Sequence, residues 1–154
     1  MIDTPRSGTR PQVSTEGPQR QLSDKSPPEI WGRLVAEVFG LDGVVEAHSQ
    51  VSPASTRAVS LRDQASERSP ETSLAPGQIL EPVHLHGVDD TSLHLCLPQL
   101  RGQSLADLGW VEPHQFGDFG TEFLVYGPRT YEELAIVLSI VEESIEFARG
   151  RPSE

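Results

Sequence analysis

Four of the chain's five histidines fall within 31 residues: His84 and His86 flank Leu85, His94 sits between Leu93 and Leu95, and His114 follows Gly109-Trp110. Imidazole donates and accepts hydrogen bonds, titrates near neutral pH and binds metals, so such a cluster marks a candidate site. Three uses are open to it. Zinc, iron and copper take imidazole ligands, and catalytic zinc commonly has three protein ligands and one open position; Asp89, Asp90, Glu112 and His114 could complete such a set. An acid–base or hydrogen-bonding pocket is the second use. The third is structural, with the rings packed and satisfied on a sheet.

The positions of the histidines depend on two strand patterns, residues 79–86 and 91–97, separated by Gly87-Val-Asp-Asp90. Side chains alternate across a strand. Val83, Leu85, Leu93, Leu95 and Leu97 are odd-numbered, whereas His84, His86, Ser92, His94 and Cys96 are even. An antiparallel hairpin that buries the apolar set pairs even with even, because a one-residue slip sends one strand's apolar residues to the wrong face. That register puts His84, His86 and His94 on a shared second face. It also calls for a loop with an odd number of residues, such as Gly87 to Thr91.

The flanking elements follow from local chemistry. Ser26 as cap, Pro27-Pro28 in the first turn and Glu29 near the positive end open a helix carrying Ile30, Trp31, Leu34, Val35 and Val38 on one face, closed by Gly40. Residues 44–50 and 56–61 read as strands, 62–78 as a long polar loop, 104–108 as a short helix and 121–126 as a further strand. Thr130 and Glu133 form a capping box for a helix running to Arg149, about 30 Å long at 1.5 Å per residue. The expected fold is α+β: a single domain with helices packed on one face of an antiparallel sheet and a long C-terminal helix.

Residues 1–28 hold three aliphatic residues (Ile2, Val13 and Leu22) and no aromatic one. This composition reads as a disordered tail, leaving residues 29–150 as the domain. The tail contributes +1, from four basic and three acidic residues, so the remainder of a chain with net charge −11 carries −12. So acidic a domain repels phosphate backbones, which argues against nucleic acid and anionic membranes as partners. The start has no apolar signal region and no run of 18 apolar residues occurs, so a cytoplasmic protein is expected. Cys96 is the only cysteine, which rules out an intramolecular disulfide.

Three further residues have candidate roles. Trp110 could line a pocket for a planar ligand or close a helix–strand corner, and Arg129 could pair with a ligand anion or with a structural carboxylate. Cys96 is reactive only if a neighbouring histidine lowers its pKa. No nucleophile elbow and no Gly-rich phosphate loop is present.

Taken in order, His84-Leu-His86, Asp90-Thr-Ser-Leu-His94, Gly109-Trp110 with His114, and Tyr126-Gly-Pro-Arg129 before a Glu-rich helix resemble the luciferase domain of fungal luciferases and of bacterial proteins. The resemblance covers residues 79–149. Fungal luciferases oxidise 3-hydroxyhispidin, a pyrone-bearing polyphenol, with molecular oxygen. The resemblance therefore implies a small aromatic or enolic substrate, possible use of oxygen, and no required cofactor, a metal not being excluded. His84, His86, His94 and His114 become candidate catalytic residues, one of them a base, with Asp90, Trp110 and Arg129 as candidate substrate contacts. The alternative is a non-catalytic binding or protein-interaction module in which the histidines hold the sheet together.

Overall fold

The computed structural model describes residues 2–115 and 119–151. Met1 of the expected tail and residues 116–118 of the motif region lie outside the described residues. The chain forms α1 (Pro28–Phe39), β1 (Val44–His48), β2 (Arg57–Leu61), a 3₁₀ turn (Pro70–Thr72), β3 (Val83–Gly87), β4 (Asp90–Cys96), α2 (Gln99–Asp107), β5 (Val111–Pro113), β6 (Glu122–Tyr126) and α3 (Tyr131–Ala148). Six strands make one sheet in the order β1-β2-β3-β4-β6-β5, with every pairing antiparallel. This is the α+β domain expected.

The apolar face determines the register. Val83 pairs with Leu95, His84 with His94 and Leu85 with Leu93. Val83, Leu85, Leu93, Leu95 and Leu97 are fully buried in one core with Leu34 and Val38 of α1 and Val137, Ile140, Val141 and Ile145 of α3. Burying one leucine is worth about 1.5–3 kcal/mol. A slip of β4 exposing Leu93, Leu95 and Leu97 would therefore cost about 5–9 kcal/mol, comparable with a whole domain's stability of about 5–15 kcal/mol. The odd-length loop does not form. The register shifts between Leu85 and Gly87, so that Gly87 pairs with Asp90 across a two-residue turn. The bulge absorbs the odd residue, and His86 still lies beside His84.

The helix ends differ from expectation in two places. Pro27, not Ser26, occupies the cap of α1; the Ser26 N–H donates to the Thr91 hydroxyl at 2.8 Å, which holds Ser26 against β4. In α3 the Thr130 hydroxyl accepts from the Glu133 N–H at 3.1 Å as expected. The Glu133 carboxylate accepts instead from the Arg129 N–H at 2.8 Å, so the box closes one residue early. Strand β5 has no counterpart in the sequence reading, since three residues ending in proline carry little strand signal, and proline is tolerated at this sheet edge.

Residues 2–27, expected to be a disordered tail, lie against the sheet. Val13 forms a bridge with Gln21, the Arg6 N–H donates to the Leu108 carbonyl at 2.9 Å, and Gln19 and Gln21 are buried. The segment is held largely by hydrogen bonds, which a tally of apolar area does not register. The 62–78 loop likewise buries Thr72, Ser73, Leu74 and Ala75. Among the described residues no helix is long and apolar enough to cross a membrane.

Helix α2 begins five residues earlier than expected, and its Gly102 rests on the Phe123 ring, where a Cβ would come within 2.0 Å of the ring carbons. Replacing Gly102 with alanine gains up to about 1 kcal/mol of helix propensity but incurs an overpacking penalty of about 1–3 kcal/mol. Gly102→Ala should therefore lower the denaturation midpoint; an unchanged or raised midpoint would show that α2 is not seated on Phe123.

Candidate functional site

His84 and His94 are direct cross-strand partners in a row that continues from Ala58 on β2 to Leu124 on β6. The even face of the sheet thereby gathers the imidazoles, as alternation requires. The His86 ring lies 5.0 Å from His84 and 4.7 Å from His94, and His114, just past β5, stands 4.6 Å from His94, centroid to centroid. All these contacts are edge-to-face, and the His84–His94 pair is at 5.2 Å.

Each ring is held from its outer side. Glu81, 1% exposed and just ahead of β3, places Oε2 2.8 Å from His84 Nδ1. The same carboxylate accepts from the Ser49 hydroxyl at 2.7 Å and the Gln50 N–H at 2.8 Å. Burial alone would raise the pKa of Glu81, but the hydrogen bonds from His84, Gln50 and Ser49 outweigh it and hold the carboxyl below its ordinary range. On its other side, His84 Nε2 lies 3.1 Å from His94 Nδ1, and His94 Nε2 lies 3.0 Å from Gln19 Oε1. A buried polar chain thus runs Glu81–His84–His94–Gln19 across two strands and into the N-terminal segment.

His86 Nδ1 lies 2.9 Å from Ser92 Oγ and 3.2 Å from Asp90 Oδ2, while the Ser92 hydroxyl donates to Asp90 Oδ1 at 2.6 Å. Burial, and secondarily His84, pushes the His86 pKa down to about 3, so the ring is neutral. Burial also holds His94 well below its ordinary value, reinforced by His86 and His84. His114 is lowered by burial and by His84, and its Nε2 lies 3.1 Å from Glu122 Oε2. Burial raises Asp90, partly offset by the Ser92 hydrogen bond. Burial pushes the Cys96 thiol well above its ordinary value, which leaves it protonated and inert.

The rings open onto a cleft of about 990 Å³, at the upper end of small-molecule sites. It is also lined by Pro18 and Gln19 of the N-terminal segment, Val51 and Thr56 between β1 and β2, and Leu74 of the long loop. His84, His86, His94, His114, Asp89 and Asp90 all line it. Glu112 lies behind it, bonded to Gln19 and to the Tyr126 hydroxyl at 2.8 Å. Trp110 and Arg129 do not line the cleft. Trp110 is buried in the helix-covered core with its Nε1–H on the Thr4 carbonyl at 2.7 Å. Arg129 clamps Glu133, with Nε 3.0 Å from Oε1, and reaches the Ser7 carbonyl. Sequence reading missed Glu81, Gln19 and Glu122. Even parity alone places Ser92 on the histidine face. Nothing local marks Gln19, which arrives from 75 residues away.

His84, His86 and His94 each bring a ring nitrogen within 4.8 Å of those of the other two, the one set among the described residues that could hold a metal. Residues 80–144 match the luciferase domain. A luciferase from Armillaria gallica is 35% identical over 79 residues, covering 47% of this chain and 30% of the relative. A luciferase from Neonothopanus nambi is 28% identical over 176 aligned residues, covering 99% of this chain and 64% of the relative. The chain thus spans less than two thirds of the length of these relatives. No solved structure matches it.

The neutral, buried His86 makes stability depend on pH. Between its ordinary value of about 6.5 and its folded value of about 3, the unfolded chain binds a proton that the folded chain does not. Stability is therefore full above about pH 6.5 and falls as pH drops, by up to about 1.4 kcal/mol per pH unit for each such histidine. In chelator-treated protein, denaturant titrations between pH 7 and 5 should show this slope, and His86→Gln should flatten it. Equal slopes for the two proteins would contradict a buried neutral His86.

Proposed function

We propose that the cleft binds a small aromatic or enolic molecule, of the hydroxylated pyrone type, and promotes its oxidation by molecular oxygen. The observation that carries this reading is the convergence of four imidazoles on one wall of a roughly 990 Å³ cleft. The match to the luciferase domain family supports it. His114 is the base. Its side chain is 15% exposed, against 4% for His84, and its partner Glu122 steadies the imidazolium that forms. Its lowered pKa keeps it neutral and able to accept a proton at pH 7.

In this step the enol O–H of the substrate breaks, its proton moves to His114, and the electron pair left behind is delocalised onto the neighbouring carbon. The electron pair left on carbon forms a C–O bond to oxygen, whose O–O unit is reduced by two electrons. The imidazolium returns the proton to the distal oxygen, giving a hydroperoxide that contains every atom of substrate and oxygen. No further reductant is needed.

A second reading is a non-catalytic binding or protein-interaction module. The burial of His84 and His94 in a chain that ties Gln19 to the sheet favours a structural use for those two rings. Oxygen-electrode assays with hydroxylated 2-pyrones and related enols separate the readings. Uptake should be seen, with an acid limb below about pH 6.5, and His114→Gln should reduce it by about 10²–10⁴-fold. Binding of the same compounds without uptake, retained when all four histidines are replaced, would establish the non-catalytic module.

A further inference from the structure

We propose that His84, His86 and His94 hold a divalent first-row transition cation of the zinc, cobalt, iron and copper class at the wall of the cleft. The inference rests on reading this cleft as the functional site, but it requires no substrate.

Donor–acceptor accounting carries it. The Gln19 amide nitrogen donates to the Pro113 carbonyl at 3.1 Å and to Glu112 Oε2 at 3.3 Å. Its oxygen therefore faces His94, and His94 Nε2 must donate. His86 Nδ1 faces Asp90 and a Ser92 oxygen whose proton already points at Asp90, so it too must donate. His84 Nδ1 faces a carboxylate that already accepts from Ser49 and Gln50. With one proton on each imidazole, all three are spent outward. Their remaining nitrogens carry lone pairs, and those of His84 and His94 confront each other at 3.1 Å. Two acceptors at that distance repel unless a proton or a metal cation lies between or beside them, and a proton shared by that pair leaves the lone pair of His86 unserved.

A cation removes the conflict for all three rings at once. Metal-bound histidines almost always donate their other ring N–H to a carboxylate or carbonyl, and here Glu81, Asp90 and the Gln19 amide take those places. Nitrogens around a tetrahedral ion with 2.0–2.1 Å bonds lie about 3.3 Å apart. The His84–His94 pair is already at that spacing, and the third nitrogen falls within the 4.8 Å set. Three neutral nitrogen donors select a borderline transition metal over magnesium or calcium, which prefer oxygen. The remaining coordination position faces the cleft.

The test is cobalt(II) titration of the untagged, chelator-treated full chain, followed by visible absorption and competition with zinc. One equivalent should bind with the ligand-field bands of a four-coordinate site, zinc should displace it, and magnesium should not. Glu81→Gln should bind 10–100-fold more weakly, and His86→Gln, the least buried ligand, should lose the bands while remaining folded by circular dichroism. Absence of saturable binding of cobalt, zinc, copper or anaerobic iron(II) would overturn the proposal, as would undiminished affinity in His86→Gln. Oxygen uptake by a protein that binds no metal would overturn this inference and leave the preceding reading standing; metal binding without substrate oxidation would do the reverse.

Discussion

A buried carboxylate on the imidazole face, Glu81, is the constraint around which the site is organised. Leaving such a group unpaired away from water costs several kcal/mol, so its partners must be present and correctly aimed. Ser49, Gln50 and His84 meet that demand. The demand then passes along the row, since an oriented His84 orients His94, whose outer nitrogen meets the Gln19 amide oxygen. The loop after β1, two central strands and the N-terminal segment are thereby tied to one another by polar groups. Apolar burial holds the opposite face of the same strands.

The two faces do different work. On the helix-covered side, register is protected by leucines whose exposure would cancel much of the stability. On the other, the same register delivers the rings in contact with one another. The placement of four imidazoles against one another is thus anchored by leucines on the opposite face. The bulge before the β3–β4 turn fits this division, since it changes the turn without displacing His86 from the cluster.

Much of this was legible in the sequence because strand alternation is a strict geometric rule. The parity of Leu85, Leu93 and Leu95 dictated the shared face of the histidines, and the spacing from Leu134 to Ala148 dictated α3. The misses have physical causes. A composition argument treats Gln19 and Gln21 as solvated, yet their amides satisfy a buried imidazole and the Gly127 N–H. Trp110 and Arg129 are near the site in sequence but are turned to other tasks: one fills the core, and the other pairs with Glu133. Glu81 was read merely as the start of a strand, because burial of an acid is visible only once its donors are in place.

The family match begins at residue 80, yet half of the cleft wall is built from residues before it, at 17–20, 51–56 and 73–76. The matched stretch supplies the four imidazoles, and the stretch before it supplies the other half of the cleft lining. Relatives that share the imidazoles are thus free to diverge in what they admit, because the loops facing the histidines can change length and polarity without disturbing the leucine register. In this architecture the imidazoles and half of the lining around them are encoded in separate parts of the chain, and a boundary drawn at the matched domain would cut the cleft in two.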